Sequence, residues 1–392
     1  MMKRNRRAGV EDRWTRTVHD AEGNETKLPT ARHGTGMRWL ARYVDDGGRE
    51  HTKSFARKSA AQQWIDEVTA AVITSQYVDP RAGQVSFRDY AERWRQMQVQ
   101  RPSSRAHVET MLRRHAYPTL GDRCLSSIMP SDVQAWVKGL ELAPATVGVI
   151  HGIVSTVMKA AIRDRRIASN PCDGTKLPKV QRKQIVPLTT EQVESVRDAL
   201  PPQLRALVTL AAGTGMRQGE CFGLTVNRVR FLERTVTVDR QLVTVQGEAP
   251  SLAPPKTRAS NRTIPLPQVV VDALAAHLAE FPAGRDGLVF TLSGKPITRS
   301  VFGHKWRAAV KAAGLPTGTG FHALRHYYAS LLIRHGESVK TVQSRLGHAS
   351  AVETLDTYSH LWPDSDDRTR DTIDSVLGFT ADALRMEAAP TS

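Results

Sequence analysis

The segment FHALRHYYAS, residues 321–330, places His322, Arg325 and His326 within one helical turn. Positions three apart on a helix share a face, so His322 and Arg325 point the same way. A guanidinium presents five donors in a rigid fork that matches phosphate oxygens. An imidazole takes or gives a proton near neutral pH. Together they suit a reacting phosphodiester. His322 and His326 are also four apart, the spacing of two zinc ligands, with His348 or His360 available as a third. A zinc hydrolase of that pattern needs a glutamate directly after the first histidine, and position 323 is alanine. The expectation is therefore phosphate chemistry without a metal.

Three further stretches carry residues of the same kind. In TGMRQGE, Arg217 stands at a helix start after a glycine-containing turn, with Glu220 one turn on to orient it. A buried Arg–Glu pair that only holds the fold would look the same. In RLGHAS, His348 follows a glycine at a helix end, where a capping or core histidine would also fit. In TLDTYSHLW, Tyr358 precedes Trp362–Pro363, where a helix should stop. Tyr327 and Tyr328 lie inside a helix whose Tyr328, Leu331 and Leu332 form an apolar stripe, so at least one is core. Tyr358 sits in a polar segment, and its phenol is expected to be reachable.

The elements that must position these residues belong to a long, basic chain. Its 392 residues suffice for two or three domains. They carry 55 Lys+Arg against 39 Asp+Glu, a net charge of +16. Such a surplus points to a polyanion, nucleic acid before an anionic membrane. It is densest over residues 76–184, while residues 363–392 are acidic. Cys124, Cys172 and Cys221 are far apart and form no C-x-x-C pair, which excludes a zinc ribbon or a disulfide framework and fits a reducing compartment. The start, MMKRNRRAGVEDRW, has no apolar core of a secretory signal. No run approaches the ~18 apolar residues of a membrane span.

Residues 12–75 read as a small sheet and a helix. Trp39, Ala41 and Tyr43 alternate with Arg38, Leu40 and Arg42, a turn follows, and 49–55 returns, with 13–18 as a third strand. Ser59 with Gln62 opens a helix whose apolar face is Ala61, Trp64, Ile65, Val68 and Val72. Residues 85–170 are expected to be all-helical. One stripe runs Phe87, Tyr90, Ala91, Trp94, Met97, and a break falls at 117–123. A helix starts at Ser131, and a long stripe runs Val147, Ile150, Val154, Val157, Met158, Ala161. Arg113, Arg114, Lys159, Arg163, Arg165 and Arg166 between them favour phosphate contact. Residues 171–187, rich in Pro, Lys and Arg, read as a linker. Residues 188–362 read as a mainly α domain with strands at 234–245 and 262–266. Thr189 with Gln192 caps its first helix. The fold class is mainly α with small β-sheets (α+β), in several domains.

The ordered set Arg217 in TGMRQGE, Lys256 in PKTRASNRTIPL, His322 and Arg325 in HALRH, His348 in LGH and Tyr358 in TLDTY resembles the tyrosine recombinase (phage integrase) family over residues 185–362. Residues 85–170 resemble its helical core-site-binding domain, and residues 12–75 the arm-site-binding module of larger phage-type integrases. LTVNRVRF lacks the Trp-x-Asp pair that many relatives carry after the first arginine. The organisation implied is an arm-binding module over 1–75, a core-binding domain over 80–170, the 171–187 linker, a catalytic domain over 188–362, and a tail over 363–392.

The resemblance implies a site-specific DNA recombinase that needs neither ATP nor cofactor. Tyr358 would attack the scissile phosphate and form a 3′-phosphotyrosyl link, giving its proton to His322. Lys256, on a β-hairpin turn, would protonate the leaving 5′ oxygen. Arg217 and Arg325 would hold the non-bridging oxygens, His348 would add a hydrogen bond, and Glu220 would hold Arg217. Partners implied are double-stranded DNA at core and arm sites, a homotetramer on that DNA, a directionality factor and a DNA-bending host protein, in a bacterial cytoplasm with no membrane association. Ile373, Val376, Leu377 and Phe379 would dock the tail on a neighbouring protomer. Asp364, Asp366 and Asp367 read as a solvated acidic run. A transposase or conjugative-element recombinase would share this chemistry, while a non-catalytic DNA-binding regulator would have no use for Tyr358.

Overall fold

The computed structural model describes residues 8–19, 23–44, 48, 50–73, 81–181, 184–245, 247–362 and 370–377. The chain divides into two compact units that meet between Val180 and Gln181. Phe379 and the Asp364, Asp366, Asp367 cluster lie outside the described residues.

The first unit begins with an antiparallel sheet of β1 (Gly9–Asp12), β4 (Trp39–Val44) and β5 (Glu50–Phe55), with β4 central. Ala41 and Tyr43 are buried against Ala61 and Ile65 of α1 (Lys58–Ile73), as the alternation predicts. The third strand is 9–12 rather than 13–18. The Asp12 carboxylate ends it by accepting from the Trp14 N–H at 3.0 Å and the Thr15 hydroxyl at 2.8 Å, a turn-forming pattern. Residues 13–18 then supply β2 (Thr15–His19), which pairs with β3 (Glu25–Pro29) in a separate, solvent-exposed hairpin. Arg38 donates to both Asp12 oxygens and lies over the Trp14 and Trp39 rings, fixing the hairpin's base. Gln62 does not cap α1. Its amide donates to Asp66 at 2.9 Å, and the helix starts at Lys58.

The helical part holds α2 (Phe87–Met97), α3 (Pro102–Met111), α4 (Tyr117–Leu120), α5 (Pro130–Lys138) and α6 (Pro144–Arg163). Every predicted member of the α6 stripe is fully buried, against Phe87, Tyr90, Ala91 and Trp94 of α2. By length and composition α6 could cross a bilayer, which the sequence reading passed over, but its apolar stripe is the core of this unit. Met97, the last residue of α2, is 72 % exposed beyond the packed face. Residues 117–120 continue the helix instead of breaking it. A π-helical turn over Leu112–Ala116 precedes Pro118 and opens the ladder where proline has no N–H to give. Ser131 is not a cap either. Asp132 accepts from the Met129 N–H at 2.8 Å, so Met129 is the cap residue and α5 starts at Pro130. Asn170 bonds Ser155, and Cys172 is buried in the helical core, so the proline-rich stretch is packed at its start. Of the arginines between the stripes, Arg113 pairs with Glu109 at 3.1 Å, while Arg114, Lys159, Arg163 and Arg166 are exposed.

The second unit opens with α7 (Thr190–Asp198), capped by the predicted Thr189–Gln192 box. Then come α8 (Pro202–Thr214) and α9 (Gln218–Phe222), separated by the expected glycine turn. Strands β6 (Val229–Arg230), β7 (Thr235–Val238) and β10 (Arg262–Pro265) form an antiparallel sheet with β7 central. β8 (Gln241–Val243) and β9 (Ser251–Ala253) form a separate hairpin. After α10 (Gln268–Glu280) and the short β11 (Thr291–Leu292) and β12 (Lys295–Pro296), the chain is helical: α11 (Arg299–Ala312), α12 (Ala323–Arg334), α13 (Val339–Leu346) and α14 (Ala351–Tyr358). One core joins α8, α10, α11 and the sheet. A smaller one packs Tyr328, Ile333, Val342, Leu346 and Tyr358. Residues 370–377 are helical and expose Ile373, Val376 and Leu377.

Ile150→Ala should lower the stability of the full chain by about 2–5 kcal/mol, because the fully buried α6 stripe cannot close over the lost volume. Urea unfolding followed by circular dichroism measures this, and a change near zero would contradict the assigned core.

Candidate active site

The site is built around the end of α13. Gly347 closes that helix in the left-handed conformation at φ +66°, and a Cβ there would lie 2.9 Å from the Ala259 carbonyl. Three successive carbonyls at this terminus accept from three different arginines. Arg345 O takes Arg262 Nε at 2.8 Å, Leu346 O takes Arg325 Nη2 at 2.7 Å, and Gly347 O takes Arg217 Nη2 at 3.3 Å. The negative end of a helix dipole favours such cations.

Each arginine has a second anchor. Arg325, only 2 % exposed, donates its other arm to Gly215 O at 2.7 Å, the left-handed residue that ends α8. Glu220, buried in α9, accepts from Arg217 Nη1 at 3.1 Å and from Arg262 Nη2 at 2.9 Å, and it also caps the Arg217 backbone N–H at 2.9 Å. The predicted Arg217–Glu220 pair is thus present, with Arg262 as a third member. Burial raises the Glu220 carboxyl's pKa, but the guanidiniums of Arg262 and Arg217 outweigh that and leave it below its ordinary value. Burial and the neighbouring Arg217 and Arg262 bring Arg325 down to about 9, still charged at neutral pH. Three guanidiniums against one carboxylate leave two positive charges without an acidic partner in the cluster.

The histidines and the tyrosine adjoin this cluster. His322 precedes α12 as its cap residue and lines a cleft of about 1160 Å³ together with Arg217, Lys256, Arg299 and Arg307. His326, one turn on, lies edge-on to His322 at 4.8 Å between ring centres. The phenol expected to meet His322 instead meets His326: Tyr358 Oη is 2.8 Å from His326 Nδ1. The reason is helical geometry, since His326 lies one turn deeper along α12, where the end of α14 packs. Tyr358 is also not the exposed phenol its polar neighbours suggested. It is 1 % exposed, because α14 turns Thr354 and Tyr358 inward and most of its other residues, polar and apolar alike, outward. Its ring stacks on that of His348, and His348 Nδ1 shares a 2.8 Å hydrogen bond with the Thr354 hydroxyl. Two imidazole–hydroxyl bonds, one turn apart, therefore hold α14 to the body of the unit.

Burial sets the protonation states. It pushes the Tyr358 phenol up to about 12, with Arg325 opposing. It pushes His326 down to about 4 and His348 to about 3, helped by the nearby arginines and neighbouring histidines, while His322, exposed at the cleft, is lowered by partial desolvation and by Arg325 and Arg217. At neutral pH the phenol is protonated and the imidazoles are neutral, and with the His326 proton on Nε2 the phenol donates to Nδ1.

Lys256 is exposed and lines the cleft with Arg217 and His322. It does not stand on a hairpin turn. It lies in the loop after β9, before the 3₁₀ turn Arg258–Ser260 that leads to β10, and β10 pairs with β7 rather than β9. Tyr328 is core, as expected of one of that pair, and the Tyr327 hydroxyl bonds Thr190 at 3.0 Å. Sequence reasoning missed Arg262 and His326. Arg262 lay within KTRASNR, three basic residues of equal appearance. The spacing of His326 from His322 points only to a metal pair, and nothing local to it points to Tyr358.

The chain matches the model of the phage integrase family over residues 180–364 and that of the phage integrase central domain over 87–177. It is 30 % identical to a prophage phiRv2 integrase of Mycobacterium tuberculosis over 85 % of this chain and 92 % of that one. The ICEBs1 integrase of Bacillus subtilis is 25 % identical over 60 % of this chain and 67 % of its own length. Among solved structures, the Tn1549 transposon integrase in complex with circular intermediate DNA shares the fold with TM-score 0.64, at 24 % identity, covering 74 % of this chain and 100 % of that one. A lambda integrase dimer bound to a core site shares it with TM-score 0.56 at 18 % identity, covering 83 % and 93 %. The chain belongs to the phage integrase family, and so to the tyrosine-type site-specific DNA recombinases.

Two outcomes test the site's electrostatics. Glu220→Gln should cost about 3–5 kcal/mol of stability, because it leaves Arg217 and the buried Arg262 without their carboxylate. Loss below about 1 kcal/mol in urea titration would contradict the shared-carboxylate arrangement. The two enclosed histidines, His326 and His348, give a pH signature. The unfolded chain takes up protons near the ordinary 6.5, whereas the folded chain takes them up only near 4 or below. Stability is therefore full above about pH 6.5 and falls as the pH is lowered towards 4. A unfolding midpoint that stays flat across that window would contradict their burial in neutral form.

Proposed function

We propose that this chain is a phage-type integrase that cuts and rejoins duplex DNA through a 3′-phosphotyrosyl intermediate on Tyr358. The observation that carries the reading is the uncompensated positive cluster of Arg217, Arg262 and Arg325 beside a phenol already hydrogen-bonded in the same unit. A phosphodiester carries one negative charge and its pentacoordinate state two, so fixed cations gain most as the transition state forms.

In this reading the Tyr358 oxygen bonds to phosphorus and loses its proton to an imidazole. The bond from phosphorus to the 5′ oxygen breaks, and that oxygen takes a proton from Lys256. Arg217 and Arg325 hold the non-bridging oxygens, His348 adds a hydrogen bond, and Glu220 keeps Arg217 in place. One phosphate ester replaces another, so the bond energy is kept for rejoining and neither ATP nor a metal is called for. The basic cleft lined by Arg217, Lys256, Arg299 and Arg307 supports DNA as the ligand, and the solved relatives were captured on DNA. A lambda integrase tetramer bound to a Holliday junction supports assembly of four protomers on two sites. The exposed Ile373, Val376 and Leu377 suit docking on a neighbouring protomer in that assembly. The β1–β4–β5 module with α1 would take arm sites, the helical domain over 80–170 core sites, and 171–187 would link the latter to the catalytic domain over 188–362. The free cysteines fit a bacterial cytoplasm, and a directionality factor and a DNA-bending host protein fit an integrase with an arm-binding module. The match to a prophage integrase along nearly its full length favours a phage-derived element over a transposon or conjugative one.

The test is incubation with nicked duplexes spanning the ends of the element that carries this gene. The wild type should form a covalent adduct that survives a denaturing gel and maps to Tyr358. Tyr358→Phe should bind the duplex unchanged and form none. An adduct persisting in that variant, or hydrolysed ends with nothing attached, would overturn the proposal.

A further inference from the structure

We propose that His326, rather than His322, accepts the Tyr358 proton during strand cleavage and returns it on rejoining. This rests on the phosphotyrosyl reading above and adds to it a reacting group. The geometry leaves one acceptor in place. His326 Nδ1 is 2.8 Å from Tyr358 Oη. His348 stacks on the Tyr358 ring but commits its Nδ1 to the Thr354 hydroxyl at 2.8 Å, and its Nε2 faces Glu353 at 3.7 Å. Arg325 has no acceptor to offer, since each Nη is a donor only, one N–H of each already serving the carbonyls of Gly215 and Leu346. His322 touches His326 edge-on and lines the cleft, where it adjoins the place of the phosphate rather than the phenol.

The step balances without a further reactant. The phenolic O–H proton moves to Nδ1 of the neutral ring, whose other nitrogen already carries its own, giving an imidazolium. The phenolic oxygen bonds to phosphorus, the 5′ oxygen leaves, and Lys256 protonates it. On rejoining, the 5′ hydroxyl attacks, its proton goes back to the Lys256 amine, the phenolic oxygen leaves, and the imidazolium reprotonates it. Transfer between the resting groups is uphill, because burial holds the phenol's pKa high and the imidazole's low. The proton therefore moves as the oxygen–phosphorus bond forms and the phenol's basicity falls. Burial and the nearby Arg325 disfavour an early imidazolium, so the ring charges only when the phosphorane's negative charge is developing.

The test uses the full-length chain in single-turnover cleavage of two nicked duplexes, one normal and one with sulfur replacing the bridging 5′ oxygen. Sulfur leaves without protonation, so it bypasses Lys256 but not activation of the phenol. His326→Asn places an amide oxygen near Nδ1, keeping an acceptor that cannot take the proton. It should bind both duplexes as the wild type does and cleave both about 10²–10⁴-fold more slowly. Lys256→Ala should be slow on the normal duplex and recover on the sulfur one. His326→Ala is the second variant and should be as slow as Asn on both duplexes. Thermal unfolding establishes which of the two variants is folded, and that variant decides the outcome. The proposal is overturned if the folded His326 variant cleaves at the wild-type rate, or if sulfur restores it as it restores Lys256→Ala. It is equally overturned if His322→Asn alone shows the loss on both duplexes. A wild type that forms an adduct at Tyr358 while His326 variants remain fast sinks only this inference. A wild type without that adduct sinks the function itself.

Discussion

Three guanidiniums converge on the last carbonyls of α13, two of them sharing one buried carboxylate, and the rest of the second unit is arranged so that they can. Burying a charge is costly unless hydrogen bonds replace its water. Here the replacement comes from helix ends. Arg325 closes both α8 and α13, Arg262 ties β10 to α13, and Arg217 ties the start of α9 to the same terminus. Glu220 offsets part of the repulsion and leaves the remainder for a substrate. In the proposed reading, the interactions that stabilise the packing are thus also those that bind anionic phosphate, and the site is organised before DNA arrives.

Tyr358, the proposed nucleophile, is held differently. Tyr358 and Thr354 lie one turn apart on α14, each hydrogen-bonded to an imidazole from the body of the unit. Beyond these, α14 shows mostly exposed residues, Val352 and Leu355 among them, with Leu361 and Trp362 packing just after it. The arginines are fixed by many bonds, whereas the tyrosine is fixed by few. That contrast suits the role proposed for Tyr358, in which the phenol leaves its resting partner, joins a phosphate and comes back.

Much of this was legible in the sequence, for identifiable reasons. The α6 stripe, the α7 capping box and the glycine turn before Arg217 are local patterns, and they formed as read. So did the alternation of Trp39, Ala41 and Tyr43. The misreadings arose where a tertiary or neighbouring contact overrode a local signal. Asp12 ended β1 and sent 13–18 into another hairpin. A π turn absorbed Pro118. Strand pairing moved Lys256 off its expected hairpin. Polar neighbours made Tyr358 look exposed, although a helix eight residues long can bury a single face. His326 and Arg262 were hidden because their roles depend on partners 32 and 42 residues away.

Gly215, Arg345, Leu346 and Gly347 contribute to the charged centre through main-chain oxygens alone. Gly215 has φ +63°, and a Cβ there would come within 2.5 Å of the Tyr328 ring. A survey that truncates side chains one by one would find the donors and stay blind to every one of these acceptors. Ester-for-amide replacement in the backbone, which weakens a carbonyl as an acceptor while sparing the side chain, is the kind of chemistry that would bring them into view.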